Sequence, residues 1–295
     1  MDNGQKYSPS AQQRRQFLSP AKVNLFLKVL SKRPDGYHEI FSLMQPVSLY
    51  DEVTIEVEEG DGILVSTDHA GVPGGKDNLA YRAADLVLRE AGLKRKVSIF
   101  IVKRIPVGAG LGGGSSNAAT VLMGLNSFLG TPAGEQRLME LGASIGSDVP
   151  FFILKSPAIA TGRGEVLKRV KLPGYSYVLV NPGFHVSTAW VYNNLDLTKK
   201  PEDNILMYSE ETLDSEHDIK DFLHNDLEAV TEGRYPEISA IKGALLEAGA
   251  MGSLMSGSGP TVFGVFSETG KAQEAFQRLK KTLDKGFSVF LAHGL

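Results

Sequence analysis

The chain has 295 residues, a formal net charge of −3 and no cysteine. A chain of this length buries about three quarters of its unfolded surface, which fits one large or two modest domains. The lack of cysteine excludes disulfides, thiolate catalysis and cysteine metal sites. Acidic and basic residues are interspersed, and no apolar run approaches the roughly 20 residues that span a bilayer, so nothing indicates a nucleic-acid or membrane partner.

The N-terminal segment is polar over residues 1–17 and carries Lys6, Arg14 and Arg15. It lacks the apolar core of a secretory signal and is too short for a plastid transit peptide. We therefore expect a disordered arm without an assigned role, on a protein of the bacterial cytoplasm.

The first predicted strand covers residues 21–29, where apolar side chains alternate with polar ones. Lys22 and Asn24 share one face of this strand, opposite the apolar face. Lys28 lies on the same side, and we expect it to be solvated. A turn at 34–36 follows, because Pro, Asp and Gly each favour turn conformations.

The later elements alternate irregularly between strands and helices. Strands are expected at 53–57, 63–65, 97–102, 151–154, 177–180, 251–255, 261–266 and 287–292, the first two as a hairpin closed at 60–62. Helices are expected at 79–91 (between an Asn78 cap and a Gly92 stop), 118–129, 135–143, 189–194, 218–230, 236–248 and 271–284. This mixture is typical of an α+β fold, here in two domains, 1–165 and 166–295.

The most informative segment is a glycine-rich run between the strand at 97–102 and the helix at 118–129. Glycines let successive backbone N–H groups turn inward without Cβ clashes, and the start of a helix adds partial positive charge. This combination is typical of a polyphosphate-binding loop. The residues of the loop are Pro106, Val107, Gly108, Ala109, Gly110, Leu111, Gly112, Gly113, Gly114, Ser115 and Ser116.

Three common nucleotide-binding classes do not fit this loop. Gly108–Gly113 satisfies the dinucleotide fingerprint G-x-G-x-x-G, but a helix stands where that fold needs a second strand ending in an acidic residue. A Walker loop ends in Gly-Lys-Ser/Thr, whereas this one ends in Gly-Ser-Ser. The H-R-D and D-F-G segments of protein kinases do not occur. A nicotinamide-dependent dehydrogenase stays open as an alternative.

Four further segments share the order of a known family. They read Ser-Pro-Ala-Lys-Val-Asn at 19–24, Arg-Pro-Asp-Gly-Tyr-His at 33–38, Gly-Ser-Asp-Val-Pro at 146–150 and Ser-Gly-Ser-Gly-Pro at 256–260. Together with the glycine loop they resemble the GHMP kinases. The triple glycine and the Asp-Gly-Tyr-His segment resemble, within that superfamily, the branch that acts on cytidylylated methylerythritol. The resemblance runs from about residue 19 to 266.

The resemblance implies a two-domain, GHMP-kinase-like α+β fold with the active site in the interdomain cleft. It implies a small-molecule kinase that transfers phosphate from ATP, with Mg²⁺, to the tertiary 2-hydroxyl of its acceptor, in the non-mevalonate isoprenoid pathway. The expected partners are that small-molecule substrate and, at most, a second copy of the chain, as a monomer or weak homodimer.

The resemblance also implies residue roles. Lys22 would stabilise the attacking oxygen and the transferred phosphoryl group. Asp148 would either take the hydroxyl proton as general base or mainly orient and polarise the hydroxyl. Ser115 and Ser116 would bind phosphate oxygens or magnesium from the helix start. No residue is assigned as a metal ligand, because the six histidines are scattered without a close pair.

The resemblance further implies that four residues bind the acceptor substrate, namely Asn24, Tyr37, His38 and Tyr192. The rings of Tyr37 and Tyr192 would stack on a cytosine base, and His38 would read its polar edge.

Two alternatives share the kinase fold. One is another GHMP branch, such as a homoserine or mevalonate kinase, whose acceptor has no base for Tyr37 and His38 to hold. The other is a non-catalytic sensor, which would need neither Lys22 nor Asp148.

Overall fold

The computed structural model describes residues 13–130, 133–197 and 219–295. Its strands are β1 (Gln13–Lys32), β2 (His38–Glu58), β3 (Gly62–Thr67), β4 (Lys96–Val102), β5 (Ala158–Thr161), β6 (Val166–Arg169), β7 (Ser176–Asn181), β8 (His224–Asn225), β9 (Gly252–Met255), β10 (Val262–Phe266) and β11 (Ser288–His293). Its α-helices are α1 (Leu79–Ala91), α2 (Gly113–Phe128), α3 (Glu135–Ala143), α4 (Val149–Leu154), α5 (Thr188–Asn193), α6 (Glu228–Glu232), α7 (Glu237–Glu247) and α8 (Thr269–Thr282). Short 3₁₀ turns cover Gly75–Asp77 and Ile219–Phe222.

The larger sheet has seven strands in the order β3-β4-β2-β1-β8, with β5 paired to β2 and β6 paired to β5. Its centre is the long antiparallel hairpin of β1 and β2, whose register shifts between Pro20 and Ala21 and again between Asn24 and Phe26. The smaller sheet has four strands in the order β11-β7-β10-β9. Helices and mostly antiparallel strands in two sheets confirm the predicted α+β class.

The hydrophobic core forms on both sides of the β1–β2 hairpin. One cluster joins Ile55 of β2 and Ile99 of β4 to Leu122 of α2, so the first four helices cover one face of the larger sheet. A second cluster joins Val23 of β1 to Phe263 of β10, so the two sheets pack against each other. Because side chains alternate across a strand, β1 is covered on both faces near Lys22.

The smaller sheet has helices on its outer face. Val178 of β7 lies in one cluster with Ile241 of α7 and Leu279 of α8. Tyr177 and Leu179, the neighbours of Val178, belong instead to the cluster between the sheets. The larger sheet, the smaller sheet and the helices α7 and α8 therefore form successive layers.

Several local predictions are confirmed by the structure. The side chain of Asn78 accepts a hydrogen bond from the Ala80 N–H, and Gly92 ends α1 with a left-handed φ of 63°. Helix α3 has the predicted bounds. The turn at 257–260 joins β9 to β10 in an antiparallel pair.

The expected hairpin of the strands at 53–57 and 63–65 is wrong. β3 pairs with β4 in parallel, and β4 occupies the edge of β2 that the hairpin would have used. Parallel neighbours need a crossover connection, which α1 provides between β3 and β4. The turn at 60–62 therefore redirects the chain past β4 to the outer edge of the sheet.

Two predicted elements have a different structure. Residues 151–154, expected as a strand, belong to α4, where all six residues are buried, so no polar position marks the helical period. Pro150 suits the first turn of a helix, where its missing N–H is no loss. The expected helix at 218–230 is interrupted, because β8 pairs in parallel with Phe26 and Leu27 of β1; residue 218 lies outside the described residues.

Two predictions near the ends of β1 are corrected. The expected disordered arm is wrong for residues 13–17, which pair with β2, and Phe17 packs edge-on against Phe128 with ring centroids 6.1 Å apart. Residues 1–12 lie outside the described residues. Lys28 is buried rather than solvated. At this end of β1, β8 pairs with Phe26 and Leu27, and Asp226 accepts a hydrogen bond from the Val29 N–H.

Candidate active site

A cleft of about 820 Å³ opens beside the glycine loop. The residues before 165 contribute Lys22, Asp148 and the loop, and those after it contribute Tyr192 and Gly257. The cleft brings together Lys22, Asn24, Tyr37, His38, Asp148 and Tyr192, all six residues outside the loop that the motifs single out. The same cavity is thus lined by a phosphate-type loop, basic side chains, carboxylates and three aromatic rings.

The glycine loop owes its shape to backbone conformations that favour glycine. Gly108, Gly110 and Gly112 have φ values of 65°, 76° and 71°. A Cβ on Gly110 would collide with the Ser256 carbonyl oxygen, and one on Gly112 would lie 2.8 Å from the Phe152 ring. The loop therefore packs against both neighbours more closely than any side chain allows. Helix α2 begins within the loop at Gly113, and its N-cap residue, Gly112, has no side chain to cap the first N–H groups.

Most of the loop lines the cleft, but two of the predicted residues do not. Pro106–Gly110 and Gly112–Ser115 border it. Leu111 is buried in the core between the two sheets. Ser116 is fully buried, and its hydroxyl is 2.8 Å from that of Ser19. Of the two serines, only Ser115 presents its residue to the cleft.

A buried ion pair holds the start of α2 against the β1–β2 hairpin. The Asp51 carboxylate is completely buried and accepts hydrogen bonds from Lys103 Nζ, from Asn117 Nδ2 at 2.9 Å, and from the backbone N–H groups of Arg104 and Ile105 at 2.8 and 2.9 Å. This network fixes the entry to the glycine loop on one side and the first turns of α2 on the other.

Lys103 brings a cation to the donor end of the cleft. Its ammonium pairs with Asp51 and lies 3.2 Å from Asn117 Oδ1. A Cβ on Gly113 would lie 3.2 Å from Lys103 Nζ, so this charge sits beside the first residue of α2. The loop lacks a lysine of its own, and Lys103 supplies one from the preceding strand end.

Lys22 lies under the glycine loop in a buried polar cluster. Its Nζ donates to Asn24 Oδ1, while Asn24 Nδ2 donates to Ser42 Oγ at 2.8 Å. A Cβ on Gly257 would lie 3.4 Å from Lys22 Nζ. Burial lowers the pKa of the Lys22 ammonium below its ordinary value, and the Asp148 carboxylate opposes this by raising it.

Ser256 links the loop to the strand that carries Lys22. Its hydroxyl donates to the Gly110 carbonyl at 3.0 Å and accepts from the Asn24 N–H at 3.4 Å. The Lys22 N–H donates to the Leu111 carbonyl at 3.0 Å. The loop is thereby fastened to β1 at the position of the lysine.

Asp148 occupies the N-cap position of α4, but its side chain makes no capping hydrogen bond. Within the described part of the chain, no hydrogen-bond donor is assigned to its carboxylate, which is half-buried. A Cβ on Gly164 would lie 3.8 Å from Asp148 Oδ1, so the turn between β5 and β6 closes over it. The carboxylate is available to a ligand of the cleft.

Two aromatic contacts lie at the end of the cleft away from the glycine loop. His38 and Tyr192 stack with ring centroids 4.8 Å apart and an interplanar angle of 27°. Tyr37 is 57% exposed, and the Arg163 guanidinium lies 5.0 Å from its ring centroid. Burial, and then the Asp148 carboxylate, raise the pKa of the Tyr192 phenol above its usual range, so its hydroxyl stays protonated.

Three side chains at this site escape sequence reasoning, namely Asp51, Lys103 and Arg163. Ser256 belongs to the motif at 256–260 but carries no role there. Lys103 lies just before the glycine loop, which is the only signal it gives. Asp51 lies 52 positions before its lysine partner, and only the sheet register brings the two together.

The comparisons with known proteins identify the family of the chain. The model of the GHMP kinases N terminal domain matches residues 78–156, and that of the GHMP kinases C terminal region matches residues 213–285. The 4-diphosphocytidyl-2-C-methyl-D-erythritol kinase of Geobacter sp. (strain M21) is 53% identical over 268 residues, which cover 90% of this chain and 95% of the relative. That of Syntrophotalea carbinolica is 52% identical over 264 residues, with 89% and 93% covered.

The chain belongs to the 4-diphosphocytidyl-2-C-methyl-D-erythritol kinase family. A crystal structure of a 4-(cytidine 5'-diphospho)-2C-methyl-D-erythritol kinase superposes with a TM-score of 0.81 at 36% identity, covering 95% of this chain and all of the other. The mevalonate kinase of Methanococcus jannaschii gives a TM-score of 0.72 at 15% identity over 98% and 100% of the two chains, a likeness of fold alone. The predicted resemblance, the GHMP-kinase fold and the kinase class are confirmed.

The domain boundary near residue 165 stays a prediction. The two family models match on either side of it. The hairpin of β5 and β6 runs through this position, and β8 returns to the larger sheet from the second half of the chain.

We expect Asp51→Asn to lower the free energy of unfolding by about 3–5 kcal/mol, because it leaves the Lys103 ammonium buried without a carboxylate. The KM for ATP should rise as the start of α2 loosens. Glu52→Gln is the matched control, since it removes a partly exposed pair with Arg104 worth about 1 kcal/mol or less. Equal denaturant midpoints for the two variants would contradict the role of the network.

We expect Lys22→Met to lower kcat by about 10²–10³ without lowering the free energy of unfolding at pH 7. Because burial lowers the Lys22 pKa, the unfolded chain binds one proton more than the folded chain between that pKa and about 10.4. The wild type should therefore gain stability relative to the variant as pH rises through this window. Lys94→Met, on an exposed lysine, is the control, and a variant clearly destabilised at pH 7 refutes the expectation.

Proposed function

We propose that this chain transfers the terminal phosphoryl group of ATP to the 2-hydroxyl of 4-diphosphocytidyl-2-C-methyl-D-erythritol, giving the 2-phosphate and ADP in the non-mevalonate route to isoprenoid precursors. The observation that carries the proposal is the meeting of the Lys22 ammonium and the Asp148 carboxylate in one cleft with the glycine loop. The names of the relatives supply the substrate.

The glycine loop and the start of α2 bind the triphosphate of ATP. Backbone N–H groups at a helix start carry partial positive charge, and the residues of this helix start border the cleft. Lys103 adds a full charge beside Gly113, and the Ser115 hydroxyl adds a further donor. Pro106 and Val107 border the cleft at the start of the loop, where the nucleoside would continue.

Lys22 and Asp148 act on the acceptor hydroxyl. The hydroxyl oxygen attacks the terminal phosphorus, the bond to the ADP oxygen breaks, and the hydroxyl proton passes to Asp148. Lys22 stabilises the negative charge that spreads over the transferred group, which a fixed cation in a poorly hydrated site does most effectively. Asn24 and Ser42 hold the lysine in place.

Magnesium accompanies ATP in this proposal. Mg²⁺ prefers oxygen ligands, keeps several waters and binds through one or two carboxylates plus substrate phosphates. No group of three or more acidic or histidine side chains in the described ranges could hold a metal alone. The donors present fit an ion brought by the nucleotide, since the Asp148 carboxylate has no assigned donor and Ser115 borders the cleft. Bound there, the ion would neutralise charge between the outer phosphates.

The aromatic end of the cleft holds the cytidine of the acceptor. Tyr37 offers an exposed ring, and stacking on a base is worth about 1–3 kcal/mol. His38 and Tyr192 lie against each other, so a base that enters between Tyr37 and Tyr192 requires His38 to move. His38 can then use its ring nitrogens on the polar edge of the cytosine.

The remaining expectations concern the surroundings of the enzyme. No helix in the described ranges has both the length and the apolar character needed to cross a bilayer. A cytoplasmic location, the lack of a nucleic-acid partner and a monomeric or weakly dimeric state stay predictions.

The direct test is to incubate the chain with Mg-ATP and, in parallel, with cytidylylated methylerythritol, homoserine and mevalonate. We expect ADP release only with the first acceptor, and a new phosphomonoester signal beside its diphosphate in the phosphorus NMR spectrum. Faster ADP release with homoserine or mevalonate would move the chain to another GHMP branch.

We expect Asp148→Asn to keep the KM for ATP near the wild-type value while kcat falls by about 10²–10⁴, because the amide cannot take the hydroxyl proton. Asp61→Asn, on an exposed carboxylate away from the cleft, is the control. Near wild-type turnover of the Asp148 variant would remove the base role.

A further inference from the structure

Three basic side chains of lysine or arginine line the cleft in the part of the chain that the structure describes. Lys103 pairs with Asp51 beside the glycine loop, at the donor end. Lys22 lies next to Asp148, at the site of transfer. Arg163 lies beyond both, beside Tyr37, at the acceptor end. The transfer chemistry described above uses the first two and leaves Arg163 without a role.

Arg163 sits on the tight turn between β5 and β6. The flanking Gly162 and Gly164 have φ values of 72° and 112°, and the backbone of Gly164 lies against the Asp148 carboxylate. The guanidinium carbon lies 5.0 Å from the centroid of the Tyr37 ring. The turn thus places one cation between the carboxylate that meets the acceptor hydroxyl and the ring that meets the base.

The Arg163 guanidinium is held in place through one of its nitrogens and keeps the other two for a ligand. Glu165 accepts hydrogen bonds from the Arg163 backbone N–H at 2.7 Å and from Nε at 3.3 Å. Within the described residues, no hydrogen-bond acceptor is assigned to the two terminal nitrogens of this side chain, which is 30% exposed. An arginine held by Nε and stacked on an aromatic ring keeps its terminal N–H groups in a fixed plane.

We propose that Arg163 binds the diphosphate of the acceptor and so selects a nucleoside diphosphate over a nucleoside. The inference rests on the proposed function, which makes the acceptor a cytidine joined through a diphosphate to a sugar alcohol. When the base lies at Tyr37 and the hydroxyl at Asp148, the diphosphate lies between them, on the side of the cleft where Arg163 stands.

The chemistry of a guanidinium and a diphosphate supports this assignment. A diphosphate carries at least two negative charges into the cleft, and guanidinium groups bind phosphate oxygens through two parallel hydrogen bonds. Lys22 and Lys103 already have close partners in Asn24 and Asp51. Arg163 is the cleft cation with donors to spare at the acceptor end.

The test compares the affinities of the wild type and of Arg163→Met for CDP and for cytidine, measured by calorimetry. We expect the Kd for CDP to rise roughly 10- to 100-fold, as loss of charge-assisted hydrogen bonds does, while the Kd for cytidine stays within about twofold. The Kd of Arg163→Lys for CDP should lie between those of the wild type and Arg163→Met, because lysine keeps the positive charge and loses the paired N–H donors of the guanidinium. Arg169→Met, on an exposed arginine of β6 outside the cleft, is the matched control.

Steady-state kinetics give a second readout. In Arg163→Met the KM for the cytidylylated acceptor should rise while the KM for ATP and kcat stay close to the wild type, since the contact is present before and during transfer. Thermal melting shows whether each variant is folded.

The outcomes separate the inference from the proposed function. Equal losses of CDP and cytidine affinity would mean that Arg163 only supports Tyr37, and would overturn the inference. Unchanged CDP affinity would overturn it as well. A wild type that binds neither ligand and phosphorylates no cytidylylated acceptor would refute the proposed function itself.

Discussion

The arrangement of the site depends on one close approach of main chain to main chain. Gly110 lies so near the Ser256 carbonyl that no Cβ fits between them. The Ser256 hydroxyl then bonds to both the Gly110 carbonyl and the Asn24 N–H, and the Lys22 N–H bonds to the Leu111 carbonyl. The glycine loop is thereby held against the larger sheet and against the turn between β9 and β10. Any displacement of that loop would carry the donor phosphates away from Lys22.

The second constraint is electrostatic, since the cleft collects cations in places that water reaches poorly. Lys103 is neutralised by Asp51, a full ion pair that burial makes costly to break. Lys22 donates instead to the neutral amide of Asn24, burial lowers its pKa, and the Asp148 carboxylate opposes this shift only in part. The unsatisfied charge is therefore at the point of transfer, where a phosphoryl group can complete it.

The sequence predicts those features that local chemistry decides. The cap at Asn78, the stop at Gly92, helix α3 and the strands of the smaller sheet follow from periodicity and turn residues. The polyphosphate loop follows from its glycines, because backbone conformation leaves a direct trace in the residue types.

What the sequence does not predict depends on pairing between distant segments. The parallel match of β3 with β4 overrides a turn that reads as a hairpin, and the buried run of α4 hides its helical period. The strand pattern predicts that Lys28 is solvated, but the fold buries it. Asp51 looks like any strand-end carboxylate, and only the fold shows that it holds Lys103.

In the proposed function, donor and acceptor recognition differ in kind. The donor is bound mainly by main-chain groups of the loop, so its site is preserved wherever glycines keep the backbone shape. In that proposal the acceptor is bound by side chains on turns, among them Tyr37 and Arg163, which can change without disturbing the two sheets. The mevalonate kinase of M. jannaschii has a similar fold at 15% identity, so this fold accommodates wide variation in sequence. In the proposed function, acceptor specificity therefore depends on the β1–β2 and β5–β6 turns, where the Tyr37 ring and the Arg163 guanidinium meet.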